Sequence, residues 1–211
     1  MPEHARRTLA TQCHTHPCLR RRPAKSEAMG KTYDTLPSDL QDWIAQQKVF
    51  FVSTAPSGDD GHINCSPKGS DSFRILNDRE VAYLDFTGSG IETISHVQQN
   101  GRIVIMFCAF EGPPKIARIH GIGEVVYPTD STFAELSQRF PENPGTRAII
   151  KVKATRISDS CGYTVPFMDF VKPREALDRW AEKKTPAGLV DYRRENNRTS
   201  IDGIPGYPAE D

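Results

Sequence analysis

What the chain lacks narrows the field first. No apolar run approaches the roughly 18 residues of a membrane-spanning helix, so no transmembrane segment and no membrane partner are expected. There is no Gly-x-Ser-x-Gly, His-Glu-x-x-His, P-loop or Cys-x-x-Cys motif, which lowers the standing of hydrolase, kinase and zinc-enzyme readings. Five scattered cysteines (Cys13, Cys18, Cys65, Cys108, Cys161) form no disulfide framework and suit a reducing compartment. Net charge is zero. It is unevenly placed: residues 1–28 hold six basic and two acidic residues, so the rest of the chain is mildly acidic, which argues against nucleic acid as a partner.

What is present reads as one domain with tails. The chain has 211 residues, enough for a core that needs no staple. Residues 1–28 have the composition of a disordered basic tail or a mitochondrial presequence, and Met29 is an alternative start. Without a presequence the expected location is cytoplasmic. Cys13, His14, His16 and Cys18 crowd together there, but their spacing matches no zinc pattern.

From residue 29 the pattern is mostly β. Helices are expected at 40–47, capped by Ser38 or Asp39, and at 91–99, 130–140 and 173–184. Strands are expected at 48–55, 62–66, 71–76, 80–86, 102–110, 115–127 and 147–157. Asn100-Gly101 closes the mid-chain helix, and Gly121 and Gly123 mark a bend in a long strand. The run Arg102–Phe110 is apolar on both faces and so needs cover on both. Six or seven short strands with few intervening helices point to an antiparallel barrel, with residues 29–160 as the barrel domain and 161–211 as an extension carrying one helix.

The stretch Asp85–His96, "DFTGSGIETISH", carries the main candidate chemistry. It misses the dinucleotide fingerprint, since Thr93 stands where the third glycine belongs and no βαβ repeat surrounds it. Ser89 and Glu92 have capping-box spacing, which would satisfy two of the orphan N–H groups and leave those of Gly90 and Ile91 for an anion. Capping alone and an anion site both remain open readings. Ser66 and Lys68 end a strand, and Lys68 is either an exposed turn lysine or a phosphate partner. Arg118 and His120 share one strand face. Cys108 is expected in the core, and Cys161 reads as packed rather than nucleophilic.

Taken in order, "FFVSTAPSGDDGHINCSPKGSDSFRIL", "VAYLDFTGSGIETISHVQQNGRIVIMF" and "KIARIHGIGEVV" resemble the pyridoxamine 5'-phosphate oxidase-like, FMN-binding split-barrel proteins. The resemblance implies a six-stranded antiparallel split β-barrel with peripheral helices, a homodimer with FMN bound between subunits, and flavin-dependent oxidoreductase chemistry on a small-molecule substrate that it does not define. It further implies that Ser66, Lys68, Thr87, Ser89, Gly90, Thr93 and Arg118 bind the cofactor. No catalytic residue and no metal follow from it. The pattern departs where the oxidases carry basic residues: Ile63, Glu92 and Thr93 stand at those positions, and the C-terminal Arg-x-His segment is absent. Those departures motivate the alternatives: a flavin-free split-barrel dimer acting as a binding or scaffold protein, or the same groove holding haem or a deazaflavin.

Overall fold

The computed structural model describes residues 30–209. The basic tail and its Cys/His cluster lie outside the described residues. In chain order the elements are β1 (Thr32–Tyr33), α1 (Ser38–Gln46), β2 (Phe50–Thr54), β3 (Asn64–Lys68), β4 (Phe73–Ile75), β5 (Glu80–Phe86), α2 (Glu92–Asn100), β6 (Arg102–Cys108), β7 (Ile116–Val126), α3 (Phe133–Ser137), β8 (Thr146–Ser160), α4 (Ala176–Lys183) and α5 (Pro186–Asn196). The strands form one antiparallel sheet in the order β3-β2-β6-β7-β8-β5-β4, with β1 paired to β8. This is a curled split-barrel sheet, as expected, with two short strands, β1 and β4, beyond the six of the resemblance.

Period-2 alternation decides which side chains fill the barrel. Phe50 and Val52 pair with Phe107 and Ile105, which in turn face Ala117 and Ile119 across the next ladder. All six are buried in one apolar cluster that also takes Val81, Tyr83, Ile150 and Val152. α2 closes this cluster with Ile94 and Val97 and ends where Gly101 adopts a left-handed φ of 70° and its N–H bonds to the carbonyl of Val97. The long strand bends as anticipated. The β7–β8 ladder shifts register between His120 and Gly121, where a Cβ would stand 2.5 Å from the carbonyl oxygen of Lys153. Among the described residues, no helix is long and apolar enough to cross a membrane.

Two expectations are corrected, the helix caps and the number of helices in the extension. Pro37 and Ile91 occupy the cap positions before α1 and α2 and give no side-chain cap, so Ser38, Asp39 and Ser89 do not cap these helices. A second, smaller apolar cluster (Ala82, Leu84, Val126, Phe140, Ile149) buries the other face of β5 and β8 beneath the segment around α3. The extension holds two helices rather than one. α5 starts on a Thr185 hydroxyl that accepts the N–H of Gly188, with Pro186 in the first turn. Trp180 of α4 meets Tyr192 of α5 edge-to-face, with ring centres 4.9 Å apart.

Candidate functional site

The site is organised by a carboxylate that cannot stand alone. Asp85 lies on β5 in the register of Val81 and Tyr83, and is almost fully buried. A buried charge needs a partner. Arg147, also buried, supplies it: Nε lies 2.5 Å from Asp85 Oδ2. Lys68 Nζ stands 3.8 Å from Asp85 Oδ1 on the other side. Lys68 is therefore neither a free turn lysine nor fully enclosed.

The rest of the Arg147 guanidinium holds the turn before α2. Its Nη2 donates to the carbonyl of Gly90 at 2.7 Å, and its Nη1 donates to Asn197 Oδ1 at 2.9 Å. Asn197 Nδ2 donates in turn to the carbonyl of Gly88 at 2.8 Å. The peptide bonds here are trans, so a carbonyl drawn inward turns the next N–H outward. The N–H groups of Ser89 and Ile91 therefore point away from the guanidinium. Such a turn, at the start of a helix, receives an anion.

An anion is already there, and it is the chain's own. Glu92 Oε2 accepts the N–H of Ile91 at 3.0 Å, and Oε1 accepts the N–H of Ile201 at 3.4 Å. Glu92 thus folds back as the capping-box spacing suggested, but onto Ile91 rather than Ser89, whose side chain stays exposed. The C-terminal segment packs over this turn. The Tyr207 hydroxyl donates to the carbonyl of Arg147 at 3.1 Å, and a Cβ on Gly206 would stand 2.6 Å from the Ile91 side chain. Burial, followed by the charge of Asp85, pushes the Tyr127 phenol up to about 12, so it remains a neutral wall of the same region.

The seven residues singled out in the sequence divide by position. Lys68, Ser89 and Gly90 belong to the Asp85–Arg147 assembly or its turn. Ser66 sits on the face of β3 that carries Lys68 and is half-buried. Thr87 and Thr93 are buried beneath the turn. The Thr87 N–H bonds to the carbonyl of Gly145 and its hydroxyl accepts from Arg193, while the Thr93 hydroxyl accepts from Asn64. Arg118 lies on the opposite face of the sheet, paired in register with Met106 and Ser158, where its Nη1 donates to Ser160 at 3.0 Å. Within one chain it does not join the others. Asp85, Arg147 and Asn197 were not picked out by sequence reasoning. Of these, Asp85 carried a signal, because a carboxylate at an inward position of an apolar strand requires a buried cation.

Elsewhere, His96 is buried with Nδ1 3.0 Å from the Thr54 hydroxyl, and burial pushes its imidazole below the usual range. Cys108 is buried as expected, whereas Cys161 is exposed. No group of three or more His, Cys, Asp or Glu among the described residues is arranged to hold a metal.

The family model described as pyridoxamine 5'-phosphate oxidase matches residues 36–161. The chain belongs to the pyridoxamine 5'-phosphate oxidase family. A curated relative, the pyridoxamine 5'-phosphate oxidase family protein ustO of Aspergillus flavus, is 39% identical over 191 residues, covering 82% of this chain and 76% of the relative. Among solved structures, HupZ of Group A Streptococcus aligns with a TM-score of 0.48 and 23% identity, over 59% of this chain and 98% of that one. An FAD-binding protein of Mycobacterium smegmatis aligns with a TM-score of 0.43 and 15% identity, over 59% and 94%. The matched segment ends at Cys161, and Asn197 and Tyr207 lie beyond it.

Proposed function

We propose that the chain binds a flavin nucleotide, FMN, and works as a homodimeric oxidoreductase on a small molecule. The observation that carries this reading is the turn Gly88–Ile91. Its carbonyls are tied inward by Arg147 and Asn197, and its Ile91 N–H already bonds a carboxylate. A phosphate would take the place of that carboxylate, held by the Ile91 and Ser89 N–H groups with Lys68 as the nearby cation. The residues fit the group once Glu92 turns aside. When bound, the flavin supplies the electron chemistry, and the protein contributes position and charge. Arg118 would enter the site only from a second copy. In support, the sheet face that carries it shows the half-buried Val104 and Met106, apolar cover of the kind a dimer contact uses.

The test is absorbance of the purified chain, followed by FMN titration. A flavin spectrum, or saturable FMN binding at least tenfold tighter than riboflavin, is expected. A colourless protein that ignores FMN refutes the reading. One observation favours a second reading, a flavin-free split-barrel dimer that serves as a binding protein: Glu92 fills the anion position itself. That reading requires a dimer whose melting temperature does not respond to FMN.

A further inference from the structure

A cavity lined in part by Lys68 lies between the C-terminal end of α1, the β3–β4 turn and the segment after Phe170. Its volume is about 760 Å³, within the range of small-molecule sites. Two features set it apart from a surface furrow. The first is charge. Lys48, Lys68, Lys172 and Arg174 line it, with Asp71 as the acid among them. Asp71 is already held by Arg74, whose Nη1 and Nη2 donate to its two oxygens at 2.6 and 2.9 Å. Lys48, Lys172 and Arg174 are exposed and form no ion pair among the described residues. Three uncompensated cations around a concave wall raise the local positive potential.

The second feature is an aromatic wall. Phe73 stacks edge-on to Phe107 with centres 5.0 Å apart, which fixes the inner side. Phe170 stands on the outer side, 48% exposed, with Lys48 Nζ 5.8 Å from its ring centre. An exposed phenylalanine with one lysine at its ring, in a cavity that two further cations line, suits a ring whose substituent is anionic.

We infer that this groove binds a small aromatic anion, its ring against Phe170 and its acid group between Lys48, Lys172 and Arg174. The inference does not depend on flavin at the α2 turn, since none of these four residues touches that turn.

Isothermal titration with phenyl phosphate, benzoate, inorganic phosphate and benzyl alcohol tests it. Phenyl phosphate is expected to bind at least tenfold more tightly than inorganic phosphate or benzyl alcohol. Benzoate within tenfold of phenyl phosphate assigns the site to aromatic acids generally, and weaker benzoate assigns it to aryl phosphates. The triple variant Lys48→Gln, Lys172→Gln, Arg174→Gln leaves Lys68 in place and changes exposed side chains alone. It should keep its melting temperature and lose at least tenfold in affinity, and Phe170→Ala should lose several-fold. Absence of binding at millimolar phenyl phosphate, equal binding of inorganic phosphate, or unchanged affinity in the triple variant overturns the assignment.

Discussion

Replacing Glu92 by glutamine separates the two roles of that side chain. Glutamine keeps an oxygen that can accept the Ile91 N–H, now bonded at 3.0 Å, but removes the negative charge. A bound phosphate would carry about −1.5 to −2 charges. Two unit charges about 4 Å apart repel by roughly 1 kcal/mol in water and about 4 kcal/mol at an effective dielectric of 20. Glu92 is half-buried, so the gain lies between these limits. Since about 1.4 kcal/mol is a factor of ten, E92Q should bind FMN about tenfold more tightly or better at low ionic strength. The gain should shrink near 1 M salt, where the screening length is about 3 Å. The same change removes a favourable charge from the start of α2, worth about 0.3–1 kcal/mol. A fall of roughly 1–4 °C in melting temperature should therefore accompany the tighter binding. The assay is quenching of FMN fluorescence on titration with each protein. Unchanged or weaker FMN affinity in a folded E92Q protein at low salt would refute the assignment of the anion position.

The buried pair gives a second expectation. Arg147→Met leaves Asp85 with Lys68, at 3.8 Å, as its one cation among the described residues and should cost about 3–5 kcal/mol in urea unfolding, while adding Asp85→Leu should restore more than half of the loss. A single-variant loss below about 1 kcal/mol would contradict the pairing described here. pH supplies a third. Burial lowers the folded-state pKa of His96, and burial together with Arg156 and Arg118 lowers that of His120, so below about pH 6.5 the unfolded chain takes up protons first. Stability should be full above pH 6.5 and fall as the pH drops toward 5. His96→Gln should flatten part of that slope in melting temperatures recorded from pH 5 to 8, and an unchanged slope would mean that His96 is not the buried neutral group.

Much of the barrel was legible because its determinants are local. The apolar run from Arg102, the alternation of Arg118 and His120 with Ile119, the left-handed glycine after Asn100 and the turns between strands each act within a few residues, and the structure keeps them. The capping box failed for a non-local reason. Its spacing was right, but Arg147 and Asn197 hold the Gly88 and Gly90 carbonyls, and the helix starts two residues later than a Ser89 cap would require. The Thr87 and Thr93 hydroxyls accept from Arg193 and Asn64, partners that no spacing reveals. Arg118 was correctly placed opposite Ile119, yet a strand pattern does not say which face reaches the turn. The missed helix α5 is different. Thr185, Pro186 and Gly188 formed a local start signal, and its capping bond is present in the fold.

Asn197 gives the site an order of assembly. The strand that carries Arg147 ends at Ser160, within the family segment, but the side chain that completes the guanidinium's set of acceptors is made 50 residues after it. During synthesis the sheet can close with Arg147 already on Asp85 while its Nη1 still lacks the Asn197 acceptor. A chain cut short anywhere in α5 would therefore have every strand of the barrel and a slack turn before α2, with the Gly88 carbonyl left to the longer 3.5 Å bond from Arg147 and the Ile201 N–H gone from Glu92. The segment from Asn197 to Tyr207 acts as the latch that fixes this turn last.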